Sequence, residues 1–165
     1  MKLLLDAKGQ TNSIRLPDAM MLCCPVLNLA TSFTQSRPIN IKDDDPVLPN
    51  RLISTISEAY LPTSLGVSKQ DPVASPYFAN DEILRCFPPN LIFASSTDPL
   101  LDDSVVFNTR LVRLGIESGL RAAHNMPHAY WGLGTAGFPE AKQVQSECKL
   151  WLHDQLNRGA GKEST

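Results

Sequence analysis

A rhythm constrains this chain more than any other feature: short apolar runs alternate with longer stretches whose apolar residues recur at helical spacing. Ala19–Pro25 (AMMLCCP) and Asn90–Ser96 (NLIFASS) have the unbroken apolar character of strands covered on both faces. Leu120–His124 reads as a third, shorter strand. Between the last two, Asp102–Gly115 (DDSVVFNTRLVRLG) is an amphipathic helix that gathers Val105, Val106, Leu111, Val112 and Leu114 toward one side and stops at a glycine. Phe138–Asn157 closes the pattern as a long helix with Val144, Cys148, Trp151, Leu152 and Leu156 in its stripe. Strand, helix, strand, helix is the order of an α/β fold, a mostly parallel sheet with helices on both faces.

The remaining segments are read from their punctuation. Residues 1–8 resemble the tail of a helix capped by Gly9, and residues 31–45 are a polar loop. Pro46–Tyr60 is a helix with Asp45 as its N-cap, and residues 61–81 are irregular apart from at most one turn around Pro72–Ser75. One domain over 1–157 and a disordered tail over 158–165 account for the chain. Hydrophobic residues make up 42% and charged residues 19%, enough apolar content for a packed core and too much for a chain disordered throughout. A formal charge of −2 offers no basic surface for nucleic acid. The longest apolar run, Ala19–Leu27, is far short of the roughly 20 residues that span a bilayer, so no transmembrane segment is expected. The opening MKLLLD is interrupted by Asp6 before it reaches signal-peptide length, which predicts a soluble, cytoplasmic protein.

Cys23, Cys24, Cys86 and Cys148 show no CxxC spacing and read as small buried hydrophobes in a reducing compartment. His124 and His128 are four apart, but Pro127 between them argues against the helix that would make them a zinc pair, and His153 reads as a surface residue. No metal and no cofactor are expected. No G-x-G-x-x-G directly follows a strand, so a dinucleotide site is weak.

In open parallel sheets reactive groups collect on the loops at the carboxyl ends of strands. Two such loops are suggestive here: Thr97-Asp98-Pro99-Leu100, and Asn125 through Gly132 with His128 at its centre. A carboxylate and an imidazole so placed are the back half of a hydrolytic triad, in which the acid orients the histidine and the histidine moves the proton. Asp-Pro also starts many ordinary helices, so on the residues alone Asp98 is either a triad acid or a helix cap. Asp102 and Asp103 are first-turn charges favoured by the helix dipole, with support of the Asp98 loop as the other reading. Asp43–Asp45 reads as a solvated charge run with a capping role. Tyr130 and Trp131 either flank an acyl pocket or simply pack.

The strings SSTDPLLDDSVVFNTRLVRLG and MPHAYWG resemble the C-terminal catalytic part of the hormone-sensitive lipases, an α/β-hydrolase family. RLPDAMMLCCPVLNL, DDPVLPNRLISTISEAY and DPVASPYFA fall in the order expected of the same family, so the resemblance covers about Leu16 to Leu156. It implies the C-terminal portion of an α/β-hydrolase fold, with Asp98 as triad acid and His128 as base. Most members follow this histidine with Gly-Phe where this chain has Ala129-Tyr130; both keep a small residue and then an aromatic one, so the difference is expected to matter little.

The implied activity is hydrolysis of lipid carboxylic esters, acylglycerols or steryl esters, through an acyl-serine without cofactor, with association at the lipid-droplet surface as a further expectation. The family's GxSxG elbow and HGG-type loop precede the acid and base. Neither occurs in these 165 residues. The resemblance therefore implies a fragment that supplies Asp98 and His128 only and is inactive by itself. The alternative is a non-catalytic binding or regulatory fragment that pairs through an open sheet edge. Leu61–Gln70 stands where vertebrate members carry a long phosphorylated insertion, and it holds no Arg-Arg-x-Ser site, so phosphorylation control is not implied.

Overall fold

The computed structural model describes residues 15–30 and 45–160. Strands β1 (Met20–Cys23), β2 (Asn90–Ser95) and β3 (Ser118–Ala123) form one sheet in that order, and both pairings are parallel. Met20 lies opposite Asn90 and Asn90 opposite Ser118, so the three strands start level. Four α-helices are present among the described residues: α1 (Asn50–Tyr60), α2 (Asp81–Leu84), α3 (Leu101–Arg113) and α4 (Pro139–Ala160).

The alternation of side chains along β2 divides the core between two faces. Ile92 packs with Leu27, Leu84 and, from α3, Phe107 and Leu111. Phe93 points the other way into Tyr130 and, from α4, Ala141, Val144 and Cys148. Helices thus cover both faces, as expected, and each large side chain sealed there contributes roughly 1.5–3 kcal/mol. A third, smaller cluster of Leu48, Ile53 and Leu100 ties α1 to the turn that follows β2.

Several expected details change. On α3 the inward positions are Ser104, Phe107 and Leu111, while Val105, Val106 and Val112 are exposed. The three-plus-four spacing from 104 through 107 to 111 defines the inner face, and the valines sit beside it rather than on it. On α4 the same rule buries Ala141, Val144, Cys148 and Gln155, half-buries Trp151 and Leu152, and leaves Leu156 exposed. Helix α3 ends as expected at Gly115: with φ +81 it lets Gly115 N donate to Val112 O and Ile116 N to Leu111 O.

Helix α1 begins at Asn50 rather than Pro46, because Pro49 disfavours helical geometry at Leu48. Residues 61–79 are irregular around short 3-10 turns at Thr63–Leu65 and Pro76–Phe78. Helix α2 was not anticipated, although its signal is plain: Asn80 caps Ile83 N at 2.9 Å and is followed by Asp81 and Glu82. Strand β3 starts two residues earlier than expected and stops at Ala123. Helix α4 continues through Ala160, past the expected end at Asn157.

All four cysteines are free; Cys24 and Cys148 are buried, but Cys23 and Cys86 are exposed, so only half of them are core residues. His153 is exposed on α4. The helix expected over 1–8 and most of the loop expected over 31–45 lie outside the described residues. No helix among the described residues is long and apolar enough to cross a membrane.

Candidate active site

The acid loop grows directly out of β2. After Ser95, Ser96 N still pairs with Ala123 O on β3, and Asp98 then turns the chain into α3. Asp98 is not the helix cap, since α3 is capped at Leu100 without a side-chain bond, and its two oxygens meet different partners. Oδ1 accepts Leu100 N at 2.8 Å in the turn ahead of α3, while Oδ2 faces His128 Nδ1 at 2.9 Å. Asp98 is 1% exposed, and the His128 side chain 20%. A carboxylate in that position fixes the proton on Nδ1, which leaves Nε2 as the basic nitrogen.

The base loop is stitched to the acid loop. Ser96 Oγ accepts Asn125 N at 2.9 Å, and Thr97 Oγ1 donates to Met126 O. His128 itself is gripped at its main chain: its N–H donates to Asp45 Oδ2 at 2.6 Å. Asp45 is buried at 1% exposure, and its Oδ1 accepts Val47 N and Leu48 N, each at 2.8 Å. The expectation of a solvated charge at Asp45 is therefore overturned. It does cap backbone N–H groups, but in the turn ahead of α1 rather than at the helix start.

Cys24 completes the enclosure. Its sulfur, a carboxylate oxygen of Asp98 and a ring nitrogen of His128 lie within 4.8 Å of one another. Burial, and then the negative charge of Asp98, push the Cys24 thiol far above the usual thiol range, so it stays protonated and donates to Asp98. The three groups have metal-ligand donor types. Their protons, however, already join them to each other, and binding a cation would first require ionising the thiol.

Backbone strain gathers in the same place. Cys24 (φ +43), Asn125 (φ +54) and Ala129 (φ +56) are the non-glycine residues with positive φ among those described, and all three border this site. Such conformations cost on the order of 1–2 kcal/mol for a residue with a Cβ. The difference at Ala129-Tyr130 therefore matters more than expected, since position 129 is left-handed and favours glycine. Tyr130 is fully buried, packed on Phe93, and its hydroxyl has no hydrogen-bond partner among the described residues. Trp131 lies against Phe93 with ring centroids 5.9 Å apart. Both aromatics serve the core.

Asp98 and His128 are brought together as the sequence suggested, whereas His124 takes no part in the cluster. Asp102 and Asp103 sit in the first turn of α3; burial raises both carboxyls, and Asn28 donates to Asp103. Sequence reasoning missed the roles of Asp45 and Cys24. For Asp45 a signal was present: Asp45-Pro46-Val47-Leu48 repeats the Asp-Pro-apolar-apolar pattern of Asp98-Pro99-Leu100-Leu101.

A family profile described as alpha/beta hydrolase fold matches residues 1–132. The chain belongs to that family. Among curated relatives it resembles an esterase of Fusarium pseudograminearum, 36% identical over 86 residues that cover 52% of this chain and 26% of the relative. It also resembles the C-terminal part of hormone-sensitive lipases, the human enzyme being 38% identical over 92 residues, 56% of this chain and 8% of that one. Carboxyl esterase 2 of the fungus Tuber melanosporum superimposes with a TM-score of 0.72 at 27% identity, covering 86% of this chain and 44% of its own. Brefeldin A esterase, a bacterial homologue of human hormone-sensitive lipase, shares the fold at a TM-score of 0.75 over 93% of this chain and 43% of its own. The chain thus spans less than half of either solved relative and about a quarter or less of the curated ones.

Proposed function

We propose that this chain carries the acid and the base of a serine-dependent carboxylic ester hydrolase acting on lipid esters, acylglycerols or steryl esters. The supporting observation is the 2.9 Å bond from His128 Nδ1 to the buried Asp98 Oδ2, on neighbouring strand ends. In this reading His128 Nε2 takes the proton of a serine hydroxyl as the oxygen attacks the ester carbonyl. It then gives that proton to the departing alcohol, leaving an acyl-serine. Water, deprotonated by the same nitrogen, releases the acid. Asp98 holds the tautomer and stabilises the imidazolium throughout. No GxSxG or HGG motif occurs in the 165 residues, so on this reading the serine and the oxyanion donors are not among them. Action in the cytoplasm, at the surface of lipid droplets, fits that substrate class.

The test is turnover of a p-nitrophenyl ester by the longer, serine-bearing form. His128→Ala and Asp98→Asn should each lower kcat about 10³–10⁴-fold. The 165-residue chain alone should give no acyl-enzyme burst. Full turnover by His128→Ala would sink the reading and leave a non-catalytic fragment, paired through the outer edge of β1, as the better one.

A further inference from the structure

We propose that Asp45 is a second positioning carboxylate for His128, acting on its main chain as Asp98 acts on its ring. The inference rests on the reading of His128 as the catalytic base and deepens it.

Two Asp-Pro turns, 53 residues apart by number (98 − 45), converge on one histidine. Each commits Oδ1 to its own turn: Asp98 to Leu100 N, and Asp45 to Val47 N and Leu48 N. Each then spends Oδ2 on His128, Asp98 at Nδ1 and Asp45 at the backbone N. Both side chains are 1% exposed, so neither bond competes with water. A carboxylate sealed in this way is costly unless its lone pairs are filled, and three N–H donors fill those of Asp45.

The positional consequence follows from what the ring bond leaves free. A hydrogen bond to Nδ1 fixes how far the ring sits from Asp98, but the ring can still swing about that bond if the main chain of the loop moves. The residues on either side of His128 invite such movement, because Pro127 cannot donate a hydrogen bond and Ala129 is held in a strained left-handed conformation. Fastening His128 N to a buried anion removes that freedom. It also ties the base to the segment that leads into α1, across a sequence separation of 83 residues. Leu48, whose N–H bonds to Asp45, shares a core cluster with Leu100, whose N–H bonds to Asp98, so the two clamps rest on one apolar floor.

Asp45→Asn separates this role from plain support of the turn. Asparagine keeps an oxygen for Val47 and Leu48 but turns an NH2 group toward His128 N, replacing an attraction by donor-donor contact. In the serine-bearing form kcat should fall about 10–100-fold with KM nearly unchanged, since substrate contacts are untouched. In the 165-residue chain, His128 amide hydrogen exchange should quicken roughly tenfold or more while the amides of Val47 and Leu48 stay protected. Asp45→Ser, which keeps one acceptor for the turn, should reproduce the kcat loss if Asp45→Asn fails to fold.

Three outcomes decide the matter. Loss of kcat with exchange confined to His128 supports the clamp. A lower melting temperature with kcat per folded molecule unchanged, beside an inactive His128→Ala, overturns the clamp and leaves the catalytic reading intact. Unchanged turnover in His128→Ala overturns both.

Discussion

The two ends of β2 each bury a polar side chain, and they treat it in opposite ways. At the amino end, Asn90 is 1% exposed and both the nitrogen and the oxygen of its neutral amide are hydrogen-bonded. Its Nδ2 donates to Pro88 O at 3.1 Å, and its Oδ1 accepts the Ser118 hydroxyl at 2.6 Å. That hydroxyl also lies 2.8 Å from the Asn108 amide on α3, and the backbone around Asn90 is ordinary. At the carboxyl end the buried groups are ionisable, the bonds reach across distant loops, and three residues hold left-handed conformations. One end locks strand register with groups that do not titrate. The other spends conformational energy to aim a titratable ring. The difference separates buried polarity that serves the fold from buried polarity that serves chemistry.

Three substitutions would test that division. The largest stability effect is expected for Asn90→Ala, which leaves Pro88 O and the Ser118 hydroxyl short of a partner. Ser118 keeps Asn108, so the cost falls mainly on Pro88 O and should be about 1–2 kcal/mol of unfolding free energy in urea titration, while the His128 ring proton resonance stays in place. A shifted His128 signal would mean that the two ends are coupled. Next comes Tyr130→Phe, which removes a buried hydroxyl with no partner among the described residues and keeps the ring against Phe93. Stability should rise by about 1 kcal/mol; a fall would show that the hydroxyl is hydrogen-bonded after all. Smallest is Ala129→Gly, which relieves a φ of +56 at the expense of a more flexible unfolded chain. A net gain of about 0.5–1 kcal/mol is expected by thermal melting, and a net loss would place the strain elsewhere in the loop.

The fold was legible wherever periodicity coincided with burial. NLIFASS became β2, and the stop at Gly115 was visible because the residue type and the geometry it permits are so closely linked. The inner face of α3 was read only in part: Leu111 is buried as expected, but three valines attract attention that belongs to Phe107 and the small Ser104. Apolar count is a poor guide when the inner face admits a serine. At the site, Asp98 and His128 could be found because strand ends are predictable places. For Asp45 the shared Asp-Pro-apolar-apolar pattern marks the turn, but its bond to His128 leaves no trace in residue type, because the partner is a backbone N–H that any residue would offer. Cys24 was hidden for a related reason, as a thiol that packs like a hydrophobe until a carboxylate stands beside it.

The matched register of the strands has a mechanical consequence. Neighbouring strands in a sheet are held about 4.8 Å apart by their ladders, and here Asp98 and His128 hang from adjacent ones, just past their ends. The sheet acts as a ruler for where the two loops begin, and the bonds between and onto the loops set the rest of the gap. Opening that gap would mean breaking those loop bonds, with the strands beneath left paired. Any motion that admits a substrate or releases a product must therefore take place in parts of the molecule that the ruler and those bonds do not hold, and the pair itself can be treated as a fixed tool to which the rest of the reaction is brought.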